Sequence, residues 1–153
     1  MTVSPLLMVV GTRNHHAMEV LVPTANVVVA IVSDKRFRPC ERIEPRVPLP
    51  DPTSLQPWGR QELDAFKDLV VEVVAYIVRN PRAHVLFACK GGKNRSRAVR
   101  QAVAKRLGIL IDPQGCPADE ELARLADMVF SPEYDSLAMW PTAHRKKRAR
   151  ENN

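Results

Sequence analysis

The densest chemistry in this chain lies in eight residues, Cys89-Lys90-Gly91-Gly92-Lys93-Asn94-Arg95-Ser96. The order is a cysteine, five residues, an arginine, then a serine. Gly91 and Gly92 allow the backbone to turn sharply and to direct N–H groups inward. Converging amides ahead of a helix N-terminus form a site for an anion. Arg95 closes the segment with a planar fork that matches two oxygens of a phosphate. Phosphate contacts are therefore expected from Lys90, Gly91, Gly92, Lys93, Asn94 and Arg95, with the two lysines adding charge at the rim. Amide dipoles and cations favour a thiolate over a thiol. Cys89, at the base of such a ring, is expected to be a nucleophile aimed at phosphorus. Ser96 is placed to donate a hydrogen bond to that sulfur when it must leave. The nucleotide-binding pattern GxxxxGK[ST] is absent, so this is a different kind of phosphate loop.

Phe87-Ala88-Cys89-Lys90-Gly91-Gly92-Lys93-Asn94-Arg95-Ser96 resembles the signature of the protein tyrosine phosphatase superfamily, in which Cys-x5-Arg is followed by Ser or Thr. Gly92 matches the glycine at the third position after the cysteine. The compact length resembles the dual-specificity branch, and the likeness extends over about residues 6–130 as an order of elements. The resemblance implies that Cys89 attacks phosphorus, Arg95 binds the phosphoryl oxygens and Ser96 stabilises the departing thiolate. It implies no metal and no cofactor. One position departs from the pattern: Ala88 stands where the family usually has histidine. His84, further back on the same strand, is read as structural.

Such a reaction also needs a proton for the leaving oxygen and a base for water. Leu49-Pro50-Asp51 resembles the Trp-Pro-Asp loop of the same superfamily, which makes Asp51 the candidate general acid. Asp64 is the runner-up, although it reads better as a side chain on a solvated helix face. Asp34 and Asp68 are weaker candidates. Arg13 follows the first strand and reads as a surface residue bordering the pocket.

These groups must be held by regular elements. Residues 83–88 are a continuous apolar run, expected as a buried central strand that delivers Cys89. Residues 5–10 and 27–32 are β-branched and apolar, and read as further strands. Another short strand is expected within residues 42–49. Over residues 61–79, Leu63, Phe66, Val70, Val73 and Ile77 form one helical stripe, ended by Asn80-Pro81. A second helix is expected over residues 95–107, burying Ala98, Val99, Ala102, Val103 and Leu107 and stopped by Gly108. A third is expected over residues 118–130. The 13 prolines concentrate between Pro39 and Pro57, marking an extended loop region. Alternating strands and helices imply an α/β domain with a central, mostly parallel sheet flanked by helices. The loop at 89–96 leaves the carboxyl end of a strand, where open α/β sheets bind their ligands.

With 153 residues, 45% hydrophobic and 26% charged, the chain has the size and balance of one globular domain. Residues 1–140 are read as that domain and 141–153 as a basic, disordered tail. The tail holds five Lys/Arg and one Glu, so most of the net charge of +6 resides there. It suits nucleic acid, an acidic membrane surface or a nuclear import receptor, and cytoplasmic or nuclear residence is expected. No apolar stretch approaches the ~18 residues of a membrane span. Residues 1–10 read as a first strand rather than a signal segment. Cys40 and Cys116 are expected as buried free thiols. The expected substrate is a phosphorylated protein, with RNA 5′-triphosphate or phosphoinositide as the polyanionic alternative. A binding module without catalysis and a sulfurtransferase-like domain are the competing classes. Oligomeric state is not legible.

Overall fold

A computed structural model describes residues 3–51, 58–111 and 119–136. The elements run β1 (Leu6–Gly11), α1 (His15–Leu21), β2 (Val27–Ala30), β3 (Arg42–Ile43), α2 (Arg60–Arg79), β4 (His84–Cys89), α3 (Arg95–Leu107) and α4 (Asp119–Val129), with three short 3₁₀ turns. The four strands form one sheet in the order β1-β4-β2-β3, and every pairing is parallel. The expected α/β class is thus observed. No helix among the described residues is long and apolar enough to cross a membrane.

β4 lies inside the sheet, with Gly11 opposite Cys89 on one side and Ala30 opposite Ala88 on the other. Both faces are covered, so its sequence is apolar without alternation. Val85, Phe87 and Cys89 join the larger core beneath α2, α3 and α4. Leu86 and Ala88 join a smaller core with Val10, Val28, Met18 and Phe37. All five expected stripe residues of α2 are buried. α3 ends as expected: Gly108 takes φ 71°, and the N–H groups of Gly108 and Ile109 return to the carbonyls of Lys105 and Ala104. Ala98, Val99, Ala102 and Val103 are buried, whereas Leu107 is only partly so.

One element was not foreseen, and one expectation needs correction. α1 was not anticipated, because His15, His16 and Glu19 dilute its pattern and Met18 is its one buried side chain. It is set by Asn14, whose Oδ1 accepts from the Ala17 N–H. β3, two residues long, falls within the expected residues 42–49. It is an edge strand, and Pro45 has no N–H with which to continue a ladder. Cys40 is partly exposed at the margin of the smaller core, not buried. Cys116 and the basic tail lie outside the described residues.

Candidate active site

Four loops converge at the carboxyl edge of the sheet, following β1, β2, β3 and β4. Cys89 is the last residue of β4 and is 2% exposed. Its carbonyl accepts from the Thr12 N–H at 2.9 Å, and the Lys90 carbonyl accepts from the Arg13 N–H at 3.3 Å. The chain after β1 therefore splints the start of the 89–96 loop, and Arg13 borders that loop through its backbone.

Gly92 makes the turn. Its φ is 68°, and a Cβ there would fall 2.5 Å from the Gly11 nitrogen. A Cβ on Gly11 would fall 2.6 Å from the Gly91 carbonyl carbon. Gly11 and Gly92 thus permit backbone-on-backbone contact between β1 and the loop. Gly91, in contrast, has open space around its Cβ direction and no positive φ. The role of Gly11 was missed in the sequence, where it is one glycine after an apolar run.

The turn brings the Gly92 N–H to Cys89 Sγ at 3.2 Å, and Ser96 Oγ lies 3.1 Å from the same sulfur. Ser96 is fully buried at the first turn of α3. The sulfur is thus flanked by one amide and one hydroxyl, both able to donate to a thiolate.

Arg95 and Asn94 turn toward the proline-rich segment. Arg95 Nη1 donates to the Leu49 carbonyl at 3.3 Å, and Asn94 Nδ2 donates to Asp51 Oδ2 at 2.9 Å. Asp51, chosen from the sequence 38 positions before Cys89, is therefore brought to the loop. Leu49, 3% exposed, and Trp58, 1% exposed, anchor the backbone on either side of residues 52–57. A pocket of about 480 Å³ opens between Asp51, Arg95 and the start of α2, where Gln61 and Glu62 line it. Sequence reading passed over Gln61 and Glu62, which look like ordinary first-turn helix residues. Lys90 and Lys93 are exposed at the rim and pair with no acid among the described residues.

The rival carboxylates are engaged elsewhere. Asp64 accepts from the Tyr134 hydroxyl and from Arg60 Nε, and the Tyr134 bond foremost holds its carboxyl below the usual range. It is a tie between α2 and the turn Pro132–Ser136, rather than a side chain on a solvated face. Asp34 caps the turn Lys35–Phe37 and is held at about 2, chiefly by its bond to the Arg36 side chain. Asp68 pairs with Arg46 at 2.6 Å. His84 is exposed at the amino end of β4, the end away from Cys89. Ala88 is fully buried in the smaller core, so the position where the resemblance puts a histidine is here occupied by apolar packing. Among the described residues no cluster of three or more His, Cys, Asp or Glu could hold a metal ion.

The arrangement sets a buried sulfur beside one amide and one hydroxyl, with a guanidinium and a carboxyl group gathered at the end of the same loop. No family model, curated protein or solved structure matches the chain.

Proposed function

We propose that this protein is a cysteine-dependent phosphatase of the protein tyrosine phosphatase type, compact like the dual-specificity branch. The observation that carries the reading is Cys89 Sγ set between the Gly92 amide and Ser96 Oγ, in a loop that also meets Asp51 through Asn94. In the first step the Cys89 thiolate attacks phosphorus. The bond to the ester oxygen breaks, its electron pair stays with that oxygen, and Asp51 supplies the proton. In the second step water attacks the cysteinyl phosphate and gives a proton to Asp51. The P–S bond breaks, and sulfur leaves as a thiolate toward the Gly92 N–H and the Ser96 hydroxyl. Arg95 holds the phosphoryl oxygens throughout with the Nε–Nη2 edge of its guanidinium, the edge opposite its bond to Leu49. No metal or cofactor enters these steps.

The substrate is read first as phosphotyrosine, phosphoserine or phosphothreonine in a protein. A second reading, a polyanion such as RNA 5′-triphosphate or a phosphoinositide, is favoured by Lys90 and Lys93. Both stand exposed beside the loop without an acidic partner among the described residues. The test of the reaction is hydrolysis of p-nitrophenyl phosphate in the presence of a chelator. Turnover that vanadate inhibits and Cys89→Ser abolishes is expected. Binding of phosphorylated ligands without turnover would instead make the chain a binding module. Phosphopeptides, phosphoinositides and triphosphate-ended RNA, compared at equal concentration, separate the two substrate readings.

A further inference from the structure

Asn94 occupies the N-cap of α3, the position where an asparagine ordinarily turns back to its own helix. Here it makes no side-chain capping bond. Its amide instead crosses to the proline-rich segment and donates to Asp51 Oδ2 at 2.9 Å. The next residue, Arg95, donates to the Leu49 carbonyl two positions before Asp51. Two consecutive residues of the phosphate loop therefore clasp two points of the segment that carries the acid. Without a side-chain cap, the first-turn amides of α3 are left to an anion.

We infer that Asn94 is a positioning residue for the general acid, an inference that rests on the phosphatase reading above. The carbonyl oxygen of a protonated carboxyl is its better acceptor. A donor at Oδ2 therefore puts the acidic proton on Oδ1, the oxygen that meets the leaving group. When that proton passes to the ester oxygen, the carboxylate left behind keeps the Asn94 bond. The same bond holds the carboxylate while it takes a proton from water in the second step. Donation to Oδ2 also favours the ionised form. Asn94 thus sets both where the proton sits and how readily it leaves. Among the described residues that line the pocket with Asp51, the charged ones are Arg95 of α3 and Glu62 of α2, and both stay constant in the test.

The test compares Asn94→Ala and Asn94→Asp with the unmodified chain on phenyl phosphate, a poor leaving group, and p-nitrophenyl phosphate, a good one. Asn94→Asp keeps the shape and removes the donor, so it carries the test if the alanine variant folds poorly. Loss of positioning is expected to lower kcat/KM, which reports the first step alone, on phenyl phosphate at least ~10-fold more than on p-nitrophenyl phosphate. The basic limb of the kcat/KM profile should move to higher pH, further in Asn94→Asp, where a like charge faces the carboxyl. In Asn94→Ala, which adds no charge to the loop, vanadate affinity should change far less than kcat/KM. Equal losses on the two esters with the basic limb in place would overturn the role of Asn94 while leaving the phosphatase reading intact. An unmodified chain that turns over neither ester overturns both.

Discussion

Gly92 is required twice, by its positive φ and by the Gly11 nitrogen 2.5 Å from where a Cβ would sit. Gly92→Ala should cost at least about 2 kcal/mol, from left-handed strain and forced displacement of backbone. That corresponds to a melting temperature lower by roughly 4–8 °C for a domain of this size. Gly91→Ala should stay within about 0.5 kcal/mol, since nothing lies near its Cβ direction. Calorimetry on the pair checks the contrast. Ser96→Ala removes a buried hydroxyl donor from the sulfur that leaves as an anion in the proposed mechanism. A charge-assisted bond of about 1.5–3 kcal/mol predicts breakdown of the cysteinyl phosphate slowed about 10–100-fold. Pre-steady-state kinetics should then show a burst followed by a slower steady rate. The pairing of Cys89 with Ser96 was legible in the sequence because the two residues lie seven apart, across one turn. The contacts Gly92–Gly11 and Asn94–Asp51 join residues distant in the chain, and no local pattern encodes them.

At the scale of elements, residues 44–51, which end on Asp51, contain no helix or strand, and Leu49 and Trp58 are buried on either side of residues 52–57. Trp58 is buried edge-on against Phe66, with ring centroids 5.9 Å apart. Trp58→Ala should destabilise the fold by about 3–5 kcal/mol in urea titration. Its indole Nε1 has no hydrogen-bond partner among the described residues, so Trp58→Phe loses only volume and should cost under about 1.5 kcal/mol. The loop after β2 is held differently. Asp34 caps its turn and binds Arg36, whose Nη2 donates to the Thr12 carbonyl. The folded carboxyl lies at about 2, below its ordinary 3.8, so the folded state binds fewer protons. Its stabilisation is therefore present above about pH 4 and is lost as pH falls toward 2. Asp34→Asn should flatten the melting temperature across that window, relative to the unmodified chain. α2, α3 and β4 were legible because each has a long stripe or a continuous apolar run. α1 was not, since seven residues with one buried side chain give no period to read.

Over the whole molecule, the order β1-β4-β2-β3 places β4 between two parallel neighbours and gathers the loops at one edge. The alternation of strands and helices made the class legible. Strand order was not, because it is decided by which apolar faces meet, and β1, β2 and β4 are all short, largely apolar runs rich in Val and Leu. The two faces of the sheet are unequal. α2, α3 and α4 cover one, while the other has α1 and the turn around Phe37. The strand end that leads into the 89–96 loop is built across both: Cys89 packs into the larger core, and Ala88 into the smaller. A nucleophile fixed in this way should carry the phosphoryl group itself. The most direct measurement is acid quench of the reaction with a phosphorylated substrate, followed by mass spectrometry of the digested chain. One phosphoryl group on the peptide containing Cys89, absent in Cys89→Ser, is the predicted result. Product release with no phosphoryl group on Cys89 at any quench time, or with the label on another residue, would contradict it.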